Sequence, residues 1–280
     1  LRRSHRRTPS NRDSRAPRSW AAPQEPVTHQ RQTSPTSRLD LRDRARLQTP
    51  TRKGAAFVNS GSAGSVLGVE SLVGDVFSVS GVTARNRARI EGDIFSRSTV
   101  SLHHGAVVLG SVHESLAALP LLVSPSLPTD VLPTLPMTAV RAEPGASVTL
   151  APGAYTVGDF KSRVSLSLSA GIYVFDELQL QPEARVAVDL SSGPVLIIVR
   201  RELTNRATFT LSGGSALDFS LVYLGSRETQ FHYPWAGRLF APNGAVVLGS
   251  HGGFTYTGQI YVKELEIRPD SAFVCRSDDT

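Results

Sequence analysis

An eighteen-residue repeat constrains this chain more than any other feature. Gly74-Asp75-Val76-Phe77 recurs as Gly92-Asp93-Ile94-Phe95 and is echoed by Gly110-Ser111-Val112, at 18 residues each time. Register holds between the anchors. Val82 falls against Val100, Ala84 against Leu102, Ala88 against Ala106 and Ile90 against Val108. Each repeat consists of short alternating runs broken by Gly, Ser or Asn, with no helical period. Alternation at period two in runs of three to five predicts short strands with one buried face. A unit this small cannot bury that face alone, so it must stack on its neighbours. The predicted fold class is all-β, a parallel β-solenoid of about ten coils with each strand roughly 4.8 Å above its equivalent. That geometry requires Phe77 and Phe95 to touch.

The repeat divides the chain. Residues 55–280 are read as the solenoid domain, with residues 55–112 as a first coil block that opens imperfectly on Ala55-Ala56-Phe57-Val58. Glycines 74, 92 and 110 fit corners that need positive φ or a close backbone approach. The inward set is Val76, Val82, Ala88, Ile90, Ile94, Val100, Leu102 and Val108. Arg85, Arg87 and Arg89 then face out, either as a solvated face or as an anion-binding patch. Residues 113–145 interrupt the repeat with Pro125, Pro128, Pro133, Pro136 and Pro144, which forbid sustained helix and central strand. His113 to Leu122 could form a short helical turn. Twenty extended residues at about 3.1 Å each reach roughly 60 Å, the length of the whole stack. Leu127, Val131, Leu132, Leu135 and Met137 predict that this crossing segment packs on the solenoid's flank.

Residues 146–275 resume the repeat as a second block. Leu150-Ala151-Pro152-Gly153-Ala154-Tyr155 aligns with Leu168-Ser169-Ala170-Gly171-Ile172-Tyr173, and Phe160 with Leu178, at 18. Gly237-Arg238-Leu239-Phe240 aligns with Gly258-Gln259-Ile260-Tyr261 at 21, the extra length falling on a loop at Ser250-His251-Gly252-Gly253. Val195 to Val199 is a continuous apolar run, as in a strand buried on both faces.

The formal charge of +6 is unevenly placed. Residues 1–54 hold 14 Lys and Arg against 4 Asp and Glu, and the remainder 16 against 20. Sparse in large apolar residues, residues 1–54 are expected to form a disordered basic tail. An arm for nucleic acid, anionic lipid or acidic polysaccharide is the functional alternative. Nucleic acid is disfavoured, because Trp20 is the tail's only aromatic and single strands prefer interleaved stacking rings. The single cysteine, Cys275, excludes an intramolecular disulfide and a Cys-based zinc site. No apolar run approaches the roughly 20 residues of a membrane span. No apolar h-region follows Leu1, so no export signal is visible, and the composition alone is equally compatible with the cytoplasm.

Two resemblances emerge from the written-out repeats. Ala88-Arg89-Ile90-Glu91-Gly92-Asp93-Ile94 resembles the coil signature of bactofilins, bacterial β-helical filament formers, over about 60 residues. The second block is similar to exported bacterial β-helical modules with a G-x-hydrophobic-hydrophobic-A-P-N coil. The residues that carry this are Gly237-Arg238-Leu239-Phe240-Ala241-Pro242-Asn243 and Gly258-Gln259-Ile260-Tyr261. Such modules occur in pilus-associated and adhesin-like surface proteins. Leu168-Ser169-Ala170-Gly171-Ile172-Tyr173-Val174-Phe175 more distantly resembles the discontinuous solenoid of ice-binding proteins. These resemblances imply a right-handed solenoid whose two blocks form one stack, in an envelope or extracellular protein. The ranks of Thr that ice binding needs are missing: Thr255 and Thr257 stand alone.

Chemistry is sparse. Glycosidases need two carboxylates about 5–10 Å apart. Asp75 and Asp93 stack one coil apart but sit at Gly-Asp corners, where Asp caps a turn. Asp159, Asp176, Glu177 and Asp218 are the other acids considered, and solvated outward positions explain them. His103 and His104 would point to opposite faces of a strand, and no three ligands converge, so no metal or cofactor is expected. No phosphate loop, nucleophile elbow or zincin motif occurs. Aromatics gather late, and Phe231, Tyr233, Trp235 and Tyr256 form the candidate binding surface, the alternative being that they cap the last coils. The expectation is a non-enzymatic structural or adhesive solenoid of the bacterial envelope or exterior. Its partners would be polysaccharide, other envelope proteins or itself, through terminal coils. A carbohydrate-binding or carbohydrate-active β-helix (a polysaccharide lyase or hydrolase) is the runner-up. A polymer-forming scaffold whose basic tail holds anionic partners is a second alternative.

Overall fold

The structure, a computed structural model, describes residues 38–42, 44, 46–48, 56–59, 65–68, 70–73, 75–78, 80–118, 137–249 and 254–275. In chain order the first block holds β1 (Arg38–Leu41), β2 (Arg46–Gln48), β3 (Ala56–Asn59), β4 (Ser65–Leu67), β5 (Leu72–Val73) and β6 (Asp75–Ser78). It continues with β7 (Val82–Ala84), β8 (Arg89–Ile90), β9 (Ile94–Ser96), β10 (Val100–Leu102), β11 (Val107–Val108) and β12 (Val112–His113). The second block opens with β13 (Thr138–Ala142), β14 (Ser147–Leu150), β15 (Gly153–Phe160), β16 (Ser165–Leu168), β17 (Gly171–Leu180) and β18 (Arg185–Asp189). Then come β19 (Val195–Asn205), β20 (Thr208–Ser212), β21 (Phe219–Tyr223), β22 (Thr229–Phe231), β23 (Ala236–Leu248), β24 (Thr255–Ile267) and β25 (Ala272–Cys275).

Every strand pairing among the described residues is parallel, and the coils stack as a solenoid of about nine turns. The repeat's predicted partners meet: Val100 lies against Val82, Leu102 against Ala84, Val108 against Ile90 and Ile94 against Val76. Phe77 and Phe95 stack with ring centroids 4.7 Å apart and planes 11° from parallel, and His113 extends the column at 4.8 Å.

Chain order and spatial order differ. The last coil does not end the stack. β24 pairs with β1, placing Arg38 to Leu41 against Glu264 to Ile267, and β25 pairs with β2. On their other edges β1 and β2 pair with β4 and β5. The stack therefore runs from β13 through β24, passes to β1, and ends at β10, β11 and β12. The tail expected over residues 1–54 thus loses its last part. Residues 38–48 supply strands because two coil faces present unpaired edges on either side, and backbone pairing needs no apolar sequence. Residues 1–37 lie outside the described residues. So do residues 119–136, which held most of the expected crossing segment, and residues 250–253 of the expected loop. His113 belongs to β12, and no helix occurs over residues 114–118.

Two alignments need correction. Leu150 meets Leu168 at 18 residues, but Tyr155 meets Phe175 and Phe160 meets Leu180, at 20. The corner of the later coil is two residues longer. Side chains alternate with period two, so this insertion keeps every inward residue inward. The aligned tyrosines still share a role. Tyr155 Oη donates to the Ala151 carbonyl and Tyr173 Oη to that of Ser169, each four residues back, closing its own corner.

The corner expectation for glycine also shifts. Neither Gly92 nor Gly110 has positive φ. Gly110 serves close approach, since a Cβ there would stand 2.4 Å from the Gly92 carbonyl oxygen. Left-handed backbone runs along a different corner, on Arg44, Glu70, Arg87, Arg163, Glu183 and Asp270, with Gly105 and Gly145 at the two terminal coils. Successive charges there alternate in sign. Arg44 pairs with Asp270 across the joint between blocks at 2.8 Å, and Arg87 with Glu70 at 2.6 Å.

Candidate functional site

The aromatic cluster is core. Residues 232–235 cross a face on which earlier coils carry β14, β16, β18 and β20, but they form no strand. The volume that strand side chains would fill is taken by rings: Phe231, Trp235 and Tyr256 are buried, at 0%, 3% and 0% exposure. Trp235 packs 5.9 Å from Phe231, edge-on, and 6.0 Å from Phe219. Tyr256 Oη donates to the Phe231 carbonyl at 2.8 Å, and burial pushes its phenol up to about 12. Of the four residues expected to form a binding surface, only Tyr233 reaches the exterior, half-buried and 6.2 Å from Phe254. Beside it, His232 is held below its ordinary pKa, first by burial and then by Arg206 and Arg268.

The carboxylates considered from sequence do not converge. Asp93 accepts the Ser111 N–H at 2.7 Å, so its corner role joins two coils and does not close its own turn. Asp218 completes a capping box with Ser215 on a single 3-10 turn, Ala216–Asp218. Asp159 pairs with Lys161 at 2.8 Å, while its other carboxylate oxygen is buried without a hydrogen-bond partner. Asp176 and Glu177 face Arg200 and Arg201, at 3.6 Å and 3.2 Å, and Glu202 faces Arg227 at 2.9 Å. Arg85, Arg87 and Arg89 point outward as expected, but Arg87 lies in a corner, and Arg89 pairs with Glu91 at 3.4 Å. His103 and His104 are exposed at a corner turn. Among the described residues no three His, Cys, Asp or Glu side chains gather as a metal set, and no helix is long and apolar enough to cross a membrane.

One concavity does bring acids together. The register of β23 against β24 slips between Ala241 and Ala245, where Asn243 Nδ2 donates to the Leu224 carbonyl at 3.0 Å. This bond is the local work of the Ala-Pro-Asn element: it fastens the bulge to the previous coil. Beyond the bulge, Ala245 lies against Glu264 and Val247 against Glu266. These short side chains leave a depression of about 130 Å³ lined by Glu228, Ala245, Val247, Glu264 and Glu266. Alternate residues of a strand stand roughly 6.6 Å apart, so Glu264 and Glu266 meet the spacing of a glycosidase pair.

No protein family, curated protein or solved structure matches this chain.

The depression's chemistry has to be judged on its own groups. Glu266 sits between Arg42 at 3.3 Å and Arg268 at 3.7 Å, and Glu264 faces Lys263 at 3.9 Å. Neighbouring cations favour the ionised carboxylate, whereas a general acid must keep its proton near neutral pH. The site is suited to holding cationic groups or hydroxyls, not to donating a proton. Sequence reasoning noted Glu264 and Glu266 as outward but did not see them as a site. The signal was the Glu264-Leu265-Glu266 alternation. What it lacked was the small pair Ala245 and Val247 one coil away.

Proposed function

We propose that this protein is a non-enzymatic structural element: a stiff β-solenoid rod that works in adhesion or assembly at the bacterial cell envelope. One observation carries the reading. The backbone ladder continues across the break in chain order, through β24, β1 and β4, and the ion pair between Arg44 and Asp270 spans that joint. A chain that returns to complete its own stack is organised to be one rigid object. The acids that could have served catalysis carry cationic neighbours or cap turns, which supports the same reading. The envelope setting rests on the resemblance of the Ala241-Pro242-Asn243 coil to exported surface modules. Partners in this setting are envelope polysaccharide or other surface proteins.

The acidic depression favours a second reading, a carbohydrate-active β-helix with Glu264 and Glu266 as its pair. Purified protein incubated with uronic-acid and neutral glycans separates the two. No release of reducing or unsaturated ends is expected. Turnover that disappears in Glu264→Gln or Glu266→Gln would establish the enzyme and end the structural proposal. Protease shaving of intact cells tests the setting: surface release is expected, and full protection until lysis contradicts it.

A further inference from the structure

The two ends of the stack are not alike. At the β13 end, the inward residues Ala142, Leu150 and Ala154 are buried, at 4%, 6% and 6% exposure. At the other end, the coil of β10, β11 and β12 has its core side open. Leu102 is 45% exposed and Val112 42%, although their partners one coil inward, Ala84 and Ile94, are at 0%. The outer positions of this coil change character too. Val107 lies against Arg89, and Leu109 stands 18 residues after Glu91; where that inner coil carries charge, the terminal coil exposes Val107 at 45% and Leu109 at 48%. Apart from Tyr261, every exposed large hydrophobic among the described residues belongs to this coil. Its three strands pair on one side only among the described residues. One edge donor is already taken, since the Val100 N–H reaches the Glu114 carboxylate at 3.0 Å.

We propose that this end docks a second copy of the same chain, end to end, through β10, β11 and β12. The occupant follows from the asymmetry. Open strand edges with an apolar core recruit another edge, and a head-to-tail partner would offer the β13 end, whose core is already covered. Two open ends facing each other obey a two-fold axis, which closes the assembly at a dimer. A two-fold axis perpendicular to the stack also reverses strand direction, so the edges meet antiparallel, a pairing at least as stable as the parallel one within each copy. The contact is small. Coil sides of three or four residues at about 3.3 Å each give an end face well under the ~800 Å² per partner of a standard interface. Dissociation in the micromolar range follows. The proposal specifies how the rod proposed above self-associates, and it excludes open filaments.

Sedimentation velocity on the full chain over a wide concentration series tests it. A reversible monomer–dimer equilibrium is expected, with nothing larger. The double variant Val107→Arg, Leu109→Glu gives the terminal coil the charges its inner neighbour carries at Arg89 and Glu91, so its circular dichroism and melting should match the parent. Its dimerisation should weaken by about tenfold or more. Thr149→Lys, exposed at the β13 end, should leave the equilibrium unchanged. A parent that stays monomeric at high concentration, a ladder of species beyond the dimer, or loss of dimer in Thr149→Lys each overturns the proposal. A monomeric parent would leave the non-enzymatic reading standing, whereas glycan turnover would remove that reading and leave the dimer.

Discussion

The first block advances by nearly constant coils, while the second keeps the same ladder with coils of uneven length. In the first, β7 to β10 and β8 to β11 both step by 18 residues. In the second, β14 to β16 steps by 18, β16 to β18 by 20, β18 to β20 by 23 and β21 to β23 by 18. The inward residues stay inward throughout. A parallel ladder fixes what lies within strands and leaves corner length free, provided the next strand re-enters with the right parity. The short-coil block closes its corners with left-handed charged residues. The long-coil block adds tyrosine hydroxyls and paired glycines.

The sharpest test of that contrast is one substitution at two corners. Gly258 lies directly over Gly237, with φ of 134° and 137°, and a Cβ on Gly258 would overlap the Gly237 carbonyl at 1.8 Å. Gly258→Ala should cost more than ~3 kcal/mol in urea unfolding, because backbone strain and overlap with main chain add. Gly145→Ala also places alanine at positive φ, but its Cβ would meet nothing within 4 Å. It should cost about 1 kcal/mol, the conformational penalty alone. Equal costs at the two positions would break the distinction between stacked and open corners.

Next in size are the buried anchors. Ile94 in the short coils and Ile197 in the long ones are both buried. Alanine at either should cost roughly 2–5 kcal/mol, with the larger loss at Ile197, which is flanked by strands on both sides in longer ladders. Tyr256→Phe keeps the ring and removes the hydrogen bond to Phe231, for about 1–2 kcal/mol. It also carries a pH signature. The phenol is raised to about 12, so the folded state favours the protonated form. That contribution is intact below the unfolded value of about 10 and is lost as pH climbs through the folded value. Alkaline unfolding curves of parent and Tyr256→Phe should therefore converge above pH ~10; curves that stay parallel would contradict the assignment. The smallest effect belongs to the joint. Arg44 and Asp270 are both more than half exposed, so a double-mutant cycle between them should yield only a few tenths of a kcal/mol, reduced by salt.

Much of the architecture was legible because Val76, Ile90, Ile94 and their partners repeat at an interval that only stacking satisfies. The spacing of 21 between Gly237 and Gly258 was equally readable and holds in the ladder. Three things were hidden. Residues 38–48 enter the stack through backbone pairing, which leaves little mark on composition. The left-handed corner is occupied by Arg and Glu where Gly or Asn would have advertised it. The aromatic run Phe231 to Trp235 reads like a surface loop because a strand is missing there, and only the three-dimensional gap explains why Phe231 and Trp235 turn inward. Tyr256 joins them from a strand whose alternation already placed it inside. The candidate site was half visible: the Glu264 and Glu266 alternation sits in the sequence, but the hollow above it depends on a register slip that no local pattern encodes.

The joint between β24 and β1 also imposes an order on synthesis. Residues 38–41 leave the ribosome more than 220 positions before residues 264–267, yet each is the other's neighbour in the finished ladder. Until the last coil emerges, the short-coil block waits with the edges of β1 and β2 bare. The final pairing closes the longest loop in the molecule. Folding should accordingly show a slow terminal phase in which the block made first is locked by the block made last.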